Sequence, residues 1–182
     1  NRAVVTPEFP LSSLPRLHPS RREKIEAAGH DDLRQVPDEF LNSIQHRVKQ
    51  CSISGEAYFD GEGAAADLSL YGFPARFLDF ETVMLAVPIW KGCRPYQQIP
   101  FQFSIHRVEE DGNLVHAEFL DLSGQNPSGA FARALIEQCG NKGPVFVYNA
   151  AFEKTRIREL ADRFTELAPE LLGINSRIVD LL

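Results

Sequence analysis

The chain has 182 residues, 43% of them apolar, with 19 Lys and Arg against 25 Asp and Glu, for a formal charge of −6. That is enough for one domain with a real core plus an appendage. The acidic balance excludes a protein that grips nucleic acid by bulk positive charge, though not one with a few local phosphate contacts. No run approaches the ~18 apolar residues of a membrane span, so no membrane partner is expected. Cys51, Cys93 and Cys139 lie far apart, which argues against a zinc motif and a disulfide framework. A reducing cytoplasm is the simplest home for them. The non-Met start and the abrupt apolar end at Val179–Leu182 lead us to expect a piece of a longer protein.

In chain order, Pro7, Pro10, Pro15 and Pro19 mark an extended connector. Ser20-Arg21-Arg22-Glu23 fits a capping box opening a short helix that Gly29 stops. A second helix is expected from Gln35, with Phe40, Leu41, Ile44 and Val48 at helical spacing. Residues 52–67, with Gly55, Gly61 and Gly63, read as a flexible joint. The expected organisation is therefore a Pro-rich connector and helical arm over 1–67 and a second domain over 68–182. In that domain, strands are expected at Arg76–Glu81, Ile99–Val108 and Leu114–Leu120, with Asp111-Gly112 turning the last two into a hairpin. A helix follows over Ser128–Cys139, then a short strand at Val145–Tyr148 and a long helix over Ala150–Leu167. A final strand is expected at Arg177–Leu181.

The stretch Arg76-Phe77-Leu78-Asp79-Phe80-Glu81-Thr82 carries the most chemistry. Alternate residues of a strand share a face, so Asp79 and Glu81 project side by side while Leu78 and Phe80 enter the core. Adjacent carboxylates repel unless a cation lies between them, and Mg²⁺ commonly takes one or two protein carboxylates. Tyr96 is a candidate for stacking on a base, and Gln97, Gln98 and Gln102 for hydrogen bonds to sugar or base edges. Lys91, Arg94, Lys154, Arg156 and Arg158 are candidate phosphate contacts. His106 and His116 fall on neighbouring strands and are expected to face each other.

The element order β-β-β-α-β-α-β resembles the ribonuclease H-like fold: α/β, with a mixed five-stranded sheet of three antiparallel strands then two parallel, and flanking helices. Leu78-Asp79-Phe80-Glu81-Thr82 resembles the first motif of DnaQ-like (DEDD) 3′–5′ exonucleases, and Tyr148-Asn149-Ala150-Ala151-Phe152-Glu153 resembles the second. Together with Arg94–Ser104 and Val179–Leu182, they look like a bacterial domain family of unknown function. In longer members of that family the domain follows a nuclease-like region.

The resemblance implies a metal-dependent exonuclease-like hydrolase of DNA or RNA that uses two Mg²⁺ or Mn²⁺ ions. Asp79, Glu81 and Glu153 would be the metal-holding and catalytic residues; Asn149, Tyr96, Gln98 and Gln102 would bind substrate. Two departures weaken this. Glu153 stands where Asp is usual, and the family's last acid has no counterpart, so this piece is expected to be weak or inactive. The alternative is a non-catalytic nucleic-acid-binding or structural domain that assists an upstream nuclease domain of the same protein. Asp180 reads as a hydrogen-bonding residue rather than a ligand.

Overall fold

The computed structural model describes residues 7–182. The chain divides between Ala64 and Ala65 into two compact units.

The first unit holds α1 (Pro19–Ala27) and α2 (Ser43–Ser54). Leu11, Leu14, Ile25, Leu33 and Val36 form its small core. The expected box at Ser20 is not what opens α1. The His18 side chain accepts from the Ser20 N–H, with Pro19 in the first turn, where a missing N–H costs nothing. The second helix begins at Ser43, later than expected, because Pro37 and two short 3₁₀ turns break the stretch before it. Asn42 and Gln45 form the true capping box, and Gly55 in the left-handed region ends the helix. The expected flexible joint is also partly ordered, since α3 spans Gly61–Leu68.

The second unit contains β1 (Ala75–Met84), β2 (Gln98–Val108), β3 (Leu114–Leu120), β4 (Val145–Val147) and β5 (Ile178–Asp180). They form one sheet in the order β3-β2-β1-β4-β5. The β3-β2-β1 half is antiparallel; β4 and β5 add in parallel. This is the expected mixed sheet, and its topology resembles that of the ribonuclease H-like superfamily. Gly112 takes the positive φ the hairpin needs, and its N–H donates to the Glu109 carbonyl.

Three helices, α4 (Ser128–Cys139), α5 (Ala151–Arg163) and α6 (Ala168–Ser176), cover one face of the sheet. The expected helix over Ala150–Leu167 ends early, at Arg163, because the chain leaves helical geometry at Phe164, and α6 is a separate helix beyond it. Leu78, Phe80, Phe103, Ile105, Val145 and Val147 point to the helices and meet Phe131, Leu135, Ile157 and Leu171. Burying this many apolar side chains, each worth ~1.5–3 kcal/mol, is what orients β1. The opposite face carries Phe77, Asp79 and Glu81 on β1 beside His106, Ser104 and Gln102 on β2. Most of it is exposed, except where Tyr71 and Phe77 pack on Phe146.

At the edge of this unit, Arg177 donates to the carbonyls of Gly140, Lys142 and Gly143, and Arg76 donates to those of Pro74 and Lys142. Gly143 is required there: its φ is +74°, and a Cβ would collide with the Pro74 carbonyl oxygen.

Candidate functional site

Alternation along β1 places Asp79 and Glu81 on the exposed face, opposite Ser104 and Gln102. Asp79 borders a shallow depression of about 240 Å³, shared with Phe77, His106, Tyr148 and Leu181. The register shifts between Glu81 and Thr82, so the strand bends just beyond the pair.

Glu153 sits in the first turn of α5 and is 3% exposed. Its Oε2 has no hydrogen-bond partner among the described residues. Burial pushes its carboxyl above the usual range; its own backbone N–H pulls the other way, and the charges of Asp79 and Asp180 push it up further. Asp180 is held the opposite way. Its carboxylate accepts from the backbone N–H groups of Asn149 (3.0 Å), Ala150 (3.1 Å) and Leu182 (3.0 Å). Those donors, Leu182's first, hold its carboxyl below the usual range. Asp180 thus ties β5 to the start of α5, an acceptor role that its short polar side chain suits. Asn149 has φ +67° and is not the N-cap; Ala150 occupies that position with no side-chain cap of its own.

This arrangement overturns the expected metal-dependent nuclease. Among the described residues, no group of three or more His, Cys, Asp or Glu is placed to hold a metal ion. The physical reasons lie in the individual acids. Burial drives Glu153 toward the neutral form, a poor ligand, and Asp180, expected as a hydrogen-bonding residue, is held by backbone donors and adds no ligand. Asp79 and Glu81 alone leave the donor set incomplete. Asp79, Glu81 and Glu153 do not fit the Mg²⁺ or Mn²⁺ cofactor that the resemblance implied for exonuclease chemistry. Added Mn²⁺, or EDTA, is therefore expected to leave the melting temperature unchanged, because a ligand stabilises only what it binds. A saturable rise in melting temperature that disappears in Asp79→Asn would reverse this correction.

The residues expected to bind substrate fall in separate places. Asn149 lies at the β4–α5 junction, and Gln102 is half-buried on the exposed sheet face. Tyr96 is 66% exposed in the loop between β1 and β2, with φ +57°. Gln98, at the start of β2, accepts from Arg156 Nη1 at 2.6 Å. His106 and His116 do face each other, ring centroids 4.6 Å apart, with Ser104 Oγ 3.2 Å from His116 Nε2. Cys139 is buried and its thiol is pushed up to about 12, which makes it inert as a nucleophile.

Sequence reasoning missed Arg163, which the fold carries to the β1–β2 loop: its Nη1 lies 3.7 Å from Cys93 Sγ. Nothing in the local sequence signals that approach, which depends on how α5 crosses β2.

Among the described residues, no helix is long and apolar enough to cross a membrane. A family described as a domain of unknown function, DUF2779, matches residues 76–182, which is the sheet with α4–α6. No curated protein and no solved structure matches the chain.

Proposed function

We propose that this chain, which belongs to the DUF2779 family, is a non-catalytic nucleic-acid-binding module. The observation that carries the reading is the loop between β1 and β2. It presents Lys91, Arg94 and the exposed ring of Tyr96 within six residues of sequence. Proteins that hold single strands combine cations for the backbone with aromatic faces for the bases, and each stacked base is worth about 1–3 kcal/mol. A non-Gly residue held at positive φ, as Tyr96 is, costs energy that a functional placement would justify. The formal charge of −6 fits a grip made of a few local contacts rather than a basic surface. The finer kinship with DnaQ-like exonucleases belongs to the same reading, as a scaffold kept without its metal centre. So do an upstream nuclease domain as the working partner and a cytoplasmic location.

The test is fluorescence anisotropy with labelled oligothymidylate and oligouridylate in EDTA. Saturable binding is expected, weakening with salt by a log–log slope of about −0.7 per phosphate contact. Strands incubated with the chain and Mg²⁺ are expected to keep their length on a denaturing gel. No binding at low salt would overturn the reading. A second reading, a platform for a neighbouring protein domain, draws on Leu114, Leu120, Tyr148 and Leu181, all exposed on the uncovered face of the sheet. It predicts cross-linking from that face within the longer protein and no affinity for either oligonucleotide.

A further inference from the structure

We infer that the groove between the β1–β2 loop and the last turns of α5 is a phosphate-binding site. It is about 400 Å³ in volume and is lined by Gly92, Arg94, Gln97, Glu159, Asp162 and Arg163. The two guanidinium groups at its mouth are barely engaged. Arg94, its side chain 75% exposed, has an ion-pair contact of 3.7 Å with Glu159. Arg163 donates from Nη1 to Cys93 Sγ at 3.7 Å, a weak bond that uses one of its donors. A nitrogen–oxygen separation of 3.7 Å is too long for a hydrogen bond, and a guanidinium carries five donors. Both forks therefore have donors to spare on the same groove.

A third cation supports them from behind. Arg156 is 9% exposed; its Nη2 lies 3.2 Å from Glu159 Oε1 and its Nε has no partner among the described residues. It holds Glu159 back while adding positive charge. Gln97 gives its Oε1 to the Arg94 N–H, which leaves its amide N–H groups for another acceptor. Arg94 and Arg163 balance Glu159 and Asp162 within the groove, and Arg156, which lines the adjoining cavity beside Glu159, brings the local balance to one positive charge. A phosphodiester carries one negative charge, so it would bring the groove to balance. The bland alternative is a surface ion-pair network. Exposed pairs of this kind are worth ~0–1 kcal/mol, so a phosphate that accepts bidentate hydrogen bonds from Arg94 and Arg163 exchanges for Glu159 at little cost. The source of the phosphate rests on the nucleic-acid reading, in which the exposed Tyr96, on the same loop as Arg94, offers a ring to a base.

The experiment has two arms. In the first, inorganic phosphate is titrated while backbone amide and arginine Nε–H resonances are followed by NMR. Saturable shifts are expected at residues 92–97 and Arg163, and they are expected to vanish in the Arg94→Ala/Arg163→Ala variant. Both positions are exposed, so the remaining spectrum should be unchanged; Arg94→Ala alone serves if the pair perturbs it. Missing shifts, or shifts that survive in the variant, overturn the site. In the second arm, labelled oligothymidylate is expected to bind the double variant at least about tenfold more weakly, with a shallower salt dependence. A chain that binds phosphate but no oligonucleotide keeps the site for a small anion and overturns the nucleic-acid reading. Oligonucleotide binding unaffected by the two substitutions overturns the site and keeps the reading.

Discussion

Phe131→Ala is expected to cost the sheet-bearing unit about 4 kcal/mol, the largest single loss predicted for this chain. The ring is fully buried on α4 and meets one phenylalanine from each antiparallel strand. Phe80 of β1 lies 5.0 Å away, Phe103 of β2 5.4 Å and Phe119 of β3 5.7 Å, each edge to face. Edge-to-face pairs contribute about 0.5–1.5 kcal/mol each beyond the area they bury. Removing the ring forfeits three of them and leaves a cavity that strands pinned by backbone hydrogen bonds cannot close. Domains have only about 5–15 kcal/mol to lose, so the variant should unfold at a much lower urea midpoint with little change in slope. A loss under about 1 kcal/mol would mean that α4 does not pack on the sheet as described. Phe80 stands between Asp79 and Glu81 on the strand, so the same substitution is expected to loosen the acid pair.

That strand shows what was legible in the residues. Alternation placed Leu78 and Phe80 inside and Asp79 and Glu81 outside, and burial follows that pattern. The Asp-Gly turn and the Ser128–Cys139 helix were equally readable, because their signals are local. The Gly-rich joint misled because Asp60 caps α3: its Oδ1 accepts from the Gly63 N–H at 2.8 Å, which offsets part of the flexibility that the glycines suggest. The candidate site failed for a different reason. Alternation tells which face a carboxylate takes, not whether it stays ionised or free. The burial of Glu153 is a consequence of how α5 packs, whereas the hydrogen-bonding role expected of Asp180 is what its contacts with the Asn149 and Ala150 N–H groups show. The Arg94–Arg163 groove was hidden likewise, its two arginines being brought together only by packing.

Glu153→Gln is expected to stabilise the unit by about 1–2 kcal/mol at neutral pH, the reverse of what a functional carboxylate would show. The native carboxyl is buried, one oxygen lacks a partner, and Asp79 and Asp180 add repulsion. A glutamine has the same shape, can keep one oxygen for the backbone N–H of residue 153, and removes the charge that burial and the two neighbouring acids oppose. The pH dependence follows from the sign of the shift. Because the folded pKa is raised, the folded chain binds this proton more tightly than the unfolded chain does. Stability from this group is therefore full below the ordinary glutamate pKa and falls as pH rises to the raised value, beyond which it is flat. The glutamine variant lacks this loss, so its advantage should be greatest at neutral pH and above, and should shrink as the solution is acidified. Asp180 acts in the opposite direction: its lowered pKa makes its contribution complete above the ordinary aspartate value and lost in acid. Urea titrations of both chains from acid to mildly alkaline pH would separate the two groups. A destabilised glutamine variant, or a gap independent of pH, would mean that Glu153 is ionised and satisfied in the native state.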